Sequence, residues 1–159
     1  MLQKRDNDEF KRIYDKFFQN IYRYAFLYTK RPADSSDIVQ DVFLKFYISN
    51  KEFVDDENIK AWLLTCAYHE CMDYFRSKLR KNLSLEDLKQ TALPFEIDET
   101  LGEILKLPQK YKDCIYMYYY EGYSTQEIAK IINKNDATIR TRLKRGREIL
   151  KKKLEEKDA

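Results

Sequence analysis

A chain of 159 residues with 43% hydrophobic and 36% charged side chains has room for one ordinary domain or two very small ones. Only three glycines, none before Gly102, and three prolines disfavour turn-rich sheets, exclude Gly-rich phosphate loops and dinucleotide fingerprints, and make all-α the expected class. The net charge is a modest +3, and a single histidine, His69, leaves no His-pair metal site and no helix-borne H-E-x-x-H.

In chain order, residues 9–28 put Phe10, Ile13, Tyr14, Phe17, Phe18, Ile21, Tyr22, Ala25 and Tyr28 on a helical stripe, which Lys30-Arg31-Pro32 interrupts. Asp34-Ser35-Ser36-Asp37 then offers capping side chains and negative charge for a second helix. That helix is expected to run to about Tyr47 with Ile38, Val42, Phe43 and Phe46 on one face. Residues 49–58, polar apart from Phe53 and Val54, read as a loop. A third helix is expected over residues 59–79, with Trp62, Leu63, Cys66, Ala67, Tyr74 and Phe75 inward. Residues 81–100 lack a sustained period and are acidic, as befits a linker, with one short helix expected near Ser84-Leu85-Glu86-Asp87.

Leu107-Pro108 opens the next helix with proline at its first position. It carries Tyr111, Ile115, Tyr118 and Tyr119 and closes at Glu121-Gly122, where glycine suits a left-handed cap. Tyr116, Tyr118, Tyr119 and Tyr120 read as packing residues rather than a stacking platform. Ser124-Thr125-Gln126-Glu127 has the S-x-x-E form of a capping box ahead of Ile128, Ala129, Ile131 and Ile132. After the turn Asn133-Lys134-Asn135-Asp136, a last helix over residues 137–154 buries Ile139, Leu143, Ile149 and Leu150. The same helix turns Arg140, Arg142, Lys144, Arg145 and Arg147 outward.

Charge is distributed unevenly. Residues 1–82 carry +2, residues 83–107 carry −4 and residues 108–159 carry +5. Residues 134–154 alone hold nine basic and two acidic side chains. A short capped helix, a four-residue turn and a basic second helix form a helix-turn-helix pattern, and the local cationic excess points to a polyanion. Cys66, Cys71 and Cys114 form no C-x-x-C and read as reduced thiols of a cytosolic protein. Cys66 and His69 lack further ligands for a structural zinc. The start MLQKRDNDEF has no apolar signal region, and no apolar run approaches the ~20 residues of a membrane helix. A cytoplasmic protein without membrane insertion, metal or cofactor is therefore expected.

The C-terminal residues Leu107-Pro108, Cys114, Tyr119-Tyr120-Glu121-Gly122-Tyr123-Ser124-Thr125-Gln126-Glu127-Ile128-Ala129 and Ala137-Thr138-Ile139-Arg140-Thr141-Arg142-Leu143-Lys144-Arg145-Gly146-Arg147 resemble region 4 of the extracytoplasmic-function sigma factors. Asp37-Ile38-Val39-Gln40-Asp41-Val42-Phe43-Leu44-Lys45, Ile59-Lys60-Ala61-Trp62-Leu63 and Asp73-Tyr74-Phe75-Arg76 resemble their region 2. Both stretches stand in the family's order, and the resemblance covers residues 10–155. Asn133-Lys134-Asn135 replaces the family's usual Leu-Gly turn, Lys144 a usual His and Gly146 a usual Ala. Asn tolerates the left-handed conformation, and the glycine is expected to loosen its helix by ~1 kcal/mol relative to Ala.

The resemblance implies a region 2-like bundle over residues 1–82, an acidic flexible linker over 83–102 and a region 4-like helix-turn-helix domain over 103–159. It implies a non-enzymatic factor that binds core RNA polymerase and directs promoter-specific initiation. Its partners would be the β′ clamp helices and β flap of the polymerase, promoter DNA and an anti-sigma factor. Asp37, Gln40, Asp41, Phe43 and Lys45 would dock on core polymerase, although Phe43 reads equally well as core. Residues 49–58 would capture an unstacked base, with Lys60, Trp62, Thr65, Tyr68, His69, Met72 and Arg76 reading the −10 element. Thr138, Arg140, Thr141, Arg142, Lys144 and Arg145 would meet the −35 element, and Arg147 its backbone. Two alternatives remain on sequence grounds. One is a stand-alone helix-turn-helix regulator with an N-terminal dimerisation or sensing bundle, which would bind DNA without polymerase. The other is a protein-binding adaptor, indifferent to loss of Arg140 or Arg142.

Overall fold

The structure, a computed structural model, describes residues 5–78 and 93–158, and among these the ordered elements are all helices. The chain divides into two units, Met1–Phe95 and Glu96–Ala159. The short helix expected near Ser84 lies outside the described residues.

The front unit is built from α1 (Asn7–Thr29), α2 (Pro32–Ile48) and α3 (Asp56–Lys78). Helix α1 supplies one side of its core with Ile13, Phe17, Ile21, Tyr24, Ala25 and Leu27. Phe43 and Phe46 of α2 and Leu63, Leu64, Ala67 and Cys71 of α3 complete it. Lys30 ends α1 in the left-handed conformation (φ 53°). The expected Asp34–Asp37 cap is not what starts α2. That helix begins at Pro32, whose ring presets a helical φ and whose missing N–H is no loss in a first turn. Ser35 is instead fully buried, 2.6 Å from the Thr29 hydroxyl, and donates to the Arg31 carbonyl, so it ties the α1–α2 corner together. Tyr22 donates to the Pro32 carbonyl at the same corner. Helix α3 starts three residues before its expected position, because the Asp55 carboxylate accepts from the Asn58 N–H at 2.8 Å. Arg12 and Lys16 of α1 both reach Asp56, at 2.6 and 2.8 Å, and Tyr74 of α3 donates to Asp34 of α2 at 2.7 Å. The unit closes with Pro94 and Phe95 lying on α1, where Gln19 donates to the Pro94 carbonyl and the Phe95 ring meets Tyr22 and Phe26 edge-on.

The rear unit contains α4 (Glu99–Leu105), α5 (Gln109–Tyr119), α6 (Thr125–Ile131) and α7 (Asp136–Asp158). Residues 99–102, read from the sequence as the end of a linker, form the first turn of α4, with the Asp98 side chain accepting from the Leu101 N–H at 2.7 Å. Pro108 precedes α5 as its cap residue rather than occupying the first helical position. Tyr116 and Ile115 of α5 are fully buried, but Tyr118 and Tyr119 are 36% and 54% exposed, so the expectation that all the clustered tyrosines pack inward fails for these two. Burial in α5 runs instead through six consecutive residues, Lys112 to Met117, on every side of the helix. Burial pushes the Cys114 thiol up to about 12, as an inert core group requires.

Gly146 also reads differently in three dimensions. A Cβ there would lie 2.7 Å from Ile115 Cγ1 and 3.3 Å from Tyr111 Cβ. Glycine is thus the residue that lets α7 approach α5, and its loss of helix propensity is offset by contact.

Candidate nucleic-acid interface

In the rear unit the site is assembled from local signals. Gly122 (φ 75°) reverses the chain after α5. Ser124 and Glu127 then form a complete capping box, each side chain bonding the other's backbone N–H at 3.1 and 3.0 Å. Ile128, Ala129, Ile131 and Ile132 bury α6 within the unit. Asn133 takes the left-handed conformation (φ 55°), which turns the chain without a glycine. Asn135 caps α7 by accepting from the Thr138 N–H at 2.8 Å.

Helix α7 consequently presents two different cationic edges. Thr138, Thr141, Arg142 and Arg145 line one shallow cleft of about 400 Å³ together with Lys110 and Tyr111 of α5. Arg140 lies to the other side and pairs with Asp136 at 3.2 Å. Arg147 is drawn onto α5, donating to the Tyr119 hydroxyl at 2.7 Å with its guanidinium over Tyr118 and Tyr119. Lys144 is exposed. The sequence-derived set is therefore split, and Lys110 and Tyr111 join it from a neighbouring helix. Only a helix-crossing argument would have found them, since they lie thirty residues away in sequence.

In the front unit, Trp62, Thr65, His69, Met72 and Arg76 recur at helical spacing along one outward face of α3, with Tyr68 beside them. Trp62, Thr65, Tyr68 and Met72 are half-buried, while His69 and Arg76 are exposed. Tyr68 and His69 stack their rings at 5.7 Å. Lys60 does not join this face. It is 9% exposed and shares the inward side with Leu64, Ala67 and Cys71.

The chain between α2 and α3, residues 49–55, borders the same end of α3. Phe53 turns inward, edge-on to Trp62 at 5.7 Å and 6.1 Å from Phe46, while Val54 beside it is 90% exposed. Arg5 holds this segment through the Lys51 carbonyl at 2.6 Å.

On α2, Asp37, Gln40 and Asp41 are exposed in one row, which continues through Leu44 (57% exposed) and Ile48 (40%). Phe43, by contrast, is 2% exposed and packs against the rings of Phe10 and Tyr14, so of its two readings the core one holds. Lys45 is drawn to Glu70 of α3 at 2.5 Å, a bond that raises its pKa. Slight burial, then the Glu70 and Asp37 carboxylates, raise the Asp41 pKa. Leu44 was missed because an isolated apolar residue in an amphipathic helix carries no sequence signal of exposure.

Among the described residues no helix is long and apolar enough to cross a membrane. Residues 13–81 match the family described as Sigma-70 region 2, and residues 98–150 match Sigma-70, region 4. The chain is 30% identical over 145 residues to the RNA polymerase sigma factor SigV of Bacillus subtilis, covering 88% of this chain and 87% of the relative. It is 28% identical to the ECF RNA polymerase sigma factor SigW of the same organism, covering 96% and 92% of the two chains. The fold resembles that of the sigma factor RpoE from Bartonella quintana, solved in complex with the anti-sigma factor NepR. That match has a TM-score of 0.73 at 20% identity, covering 93% of this chain and 98% of the other. With both regions in order and relatives matching almost end to end, the chain belongs to the extracytoplasmic-function family of RNA polymerase sigma factors, which direct core polymerase to promoters.

Proposed function

We propose that the two units divide promoter recognition by the chemistry of their surfaces. The front unit receives unpaired −10 bases on Trp62, Thr65, Tyr68, His69 and Met72, with Arg76 holding phosphate. Single-stranded bases bind by stacking on aromatic and apolar surface, and extruding one from a duplex costs a few kcal/mol that such a surface must offset. The rear unit reads the −35 duplex through Thr138, Thr141, Arg142 and Arg145, with Lys110 and Tyr111 as flanking backbone contacts. Arg140, Lys144 and Arg147 act on phosphates at its margin. Asp37, Gln40 and Asp41, extended by Leu44, form the surface for core polymerase, while Lys45 and Phe43 hold that surface in place.

The observation that carries this reading is the cleft shared by α5 and α7, where threonine hydroxyls and arginines converge on one side of a capped second helix. That is the arrangement by which a helix-turn-helix meets a major groove. The stand-alone regulator is not favoured, because the front unit matches Sigma-70 region 2 and sigma factors match the chain across both units. The protein would act without catalysis of its own, in the cytoplasm where its polymerase resides. An anti-sigma factor is the expected regulator, by analogy with RpoE and with CnrH, which was solved with the cytosolic domain of CnrY.

Run-off transcription with purified core polymerase tests the proposal. Transcription should start at a discrete promoter only when the protein is added. Arg145→Ala should lower promoter affinity about tenfold and reduce the dependence of log affinity on log salt by about one. Promoter-specific binding without polymerase at unchanged affinity would contradict it.

A further inference from the structure

We propose that Arg5, upstream of α1, is the positioning residue that shapes the base-receiving segment of the front unit. This rests on the reading that residues 49–55 and the outward face of α3 accept an unstacked −10 base.

The Arg5 side chain is only 10% exposed although it lies near the start of the chain. Its backbone N–H donates to the Tyr47 carbonyl at 3.0 Å, which pins the segment to the end of α2. Its Nε donates to the Phe46 carbonyl at 2.8 Å and its Nη2 to the Lys51 carbonyl at 2.6 Å. The guanidinium carbon stands 4.3 Å from the Phe46 ring centre and 5.1 Å from that of Phe53. The nearest carboxylate, Glu9, is 3.9 Å away, too far for a hydrogen bond. A charge so enclosed is held chiefly by carbonyl oxygens and ring faces, which a guanidinium satisfies with its planar fork and an ammonium does not.

The consequence lies in the segment itself. Residues 49–55 form no helix of their own. The Asp55 cap secures the far end and the Ser49 hydroxyl accepts from the Lys51 N–H at the near end. Arg5 holds the middle. By bridging Lys51 and stacking on Phe53, it keeps Phe53 inward against Trp62 and leaves Val54 outward. Between Arg5 and the segment opens a polar cleft of about 400 Å³, bordered by Glu9, Ser49, Asn50 and Glu52. Its rim carries the Ser49 hydroxyl, the Asn50 amide and two carboxylates, groups able to hydrogen-bond the edge of a base. Without the guanidinium the Lys51 carbonyl loses its donor and the Phe46 carbonyl keeps only the Ser49 N–H, and the choice of which apolar residue faces the protein is no longer enforced.

The test uses the full-length protein with core polymerase. A promoter chosen by the wild-type holoenzyme from a randomised −10 library is scanned with 2-aminopurine to find the unstacked position. Wild type, Arg5→Ala and Arg5→Lys are then compared on templates carrying each of the four bases, or an abasic site, at that position. Both variants should lose about tenfold of the preference for the selected base, the size of one good discriminating contact. Selectivity at the −35 element and affinity for core polymerase should not change. Should Arg5→Ala unfold the front unit, Arg5→Lys, which keeps the charge and the stem, carries the comparison. An equal drop on all five templates, or selectivity like that of wild type, overturns the role of Arg5. A wild-type holoenzyme indifferent to every −10 base would instead remove the base-receiving reading, and this proposal with it.

Discussion

The front and rear units each set an outward helix on a small core, by different means. The front unit relies on long helices and rings. Phe46 alone meets Phe10, Phe53 and Trp62 and lies under Arg5, and its outward α3 face is half-buried and mostly uncharged. The rear unit relies on caps, reversals and a close helix crossing, and its outward helix is densely cationic. The difference fits the ligand proposed for each. Unpaired bases need apolar surface held rigidly enough to receive them, whereas a duplex is reached through its phosphates, for which exposed cations suffice.

The comparison breaks most readily at its centre. Phe46→Ala removes the ring that joins α1, α2, the 49–55 segment and α3, and should destabilise the front unit by about 3–5 kcal/mol. Amide exchange should show α1, α2 and α3 losing protection while α5, α6 and α7 keep theirs. Equal loss in both would mean that the units share one folding equilibrium.

A change of the opposite kind probes the rear unit. Gly146→Ala gains about 1 kcal/mol of helix propensity, but its methyl meets a buried Ile115, and overpacking of this sort costs about 1–3 kcal/mol. Net loss of protection in α5 and α7 is expected. A gain would show that Ile115 yields and that the close crossing is not required.

The smallest effect concerns the ion pairs that clamp α1 to α3. Arg12, then Lys16, hold the Asp56 carboxyl well below the usual carboxylate range. Because the folded-state pKa is lowered, this stabilisation is present at neutral pH and is lost as the pH falls from the ordinary aspartate range through that lowered value. Asp56→Asn should therefore destabilise the front unit by about 1 kcal/mol or less, given the exposure of both cations. The gap between wild type and variant should narrow below about pH 4 and at high salt. A gap that is constant with pH would assign the effect to packing rather than charge.

Much of this was written locally along the chain. Helical period, the Ser124–Glu127 box, Gly122 and the left-handed tolerance of Asn133 are short-range devices, so their outcome could be anticipated from neighbours in sequence. The boundaries erred where a stronger local device lay adjacent, as when Pro32 rather than Asp34 started α2 and Asp98 drew residues 99–102 into α4. The candidate DNA-facing residues could be named from the sequence, but not the faces they occupy. Lys60 turned inward, Arg147 was captured by Tyr118 and Tyr119, and Lys110 and Tyr111 entered from α5.

Sequence alone thus determined the helices, their caps and the cationic excess of the last one, because each depends on residues within a turn or two of one another. Tertiary structure decided which side chains share a surface: Gly146 as a contact rather than a weakness, Leu44 as exposed, and Arg5 as a strut forty-six residues upstream of its Lys51 acceptor. Those outcomes depend on how helices cross, and a crossing is settled by the summed packing of distant side chains, which no single stretch of chain encodes.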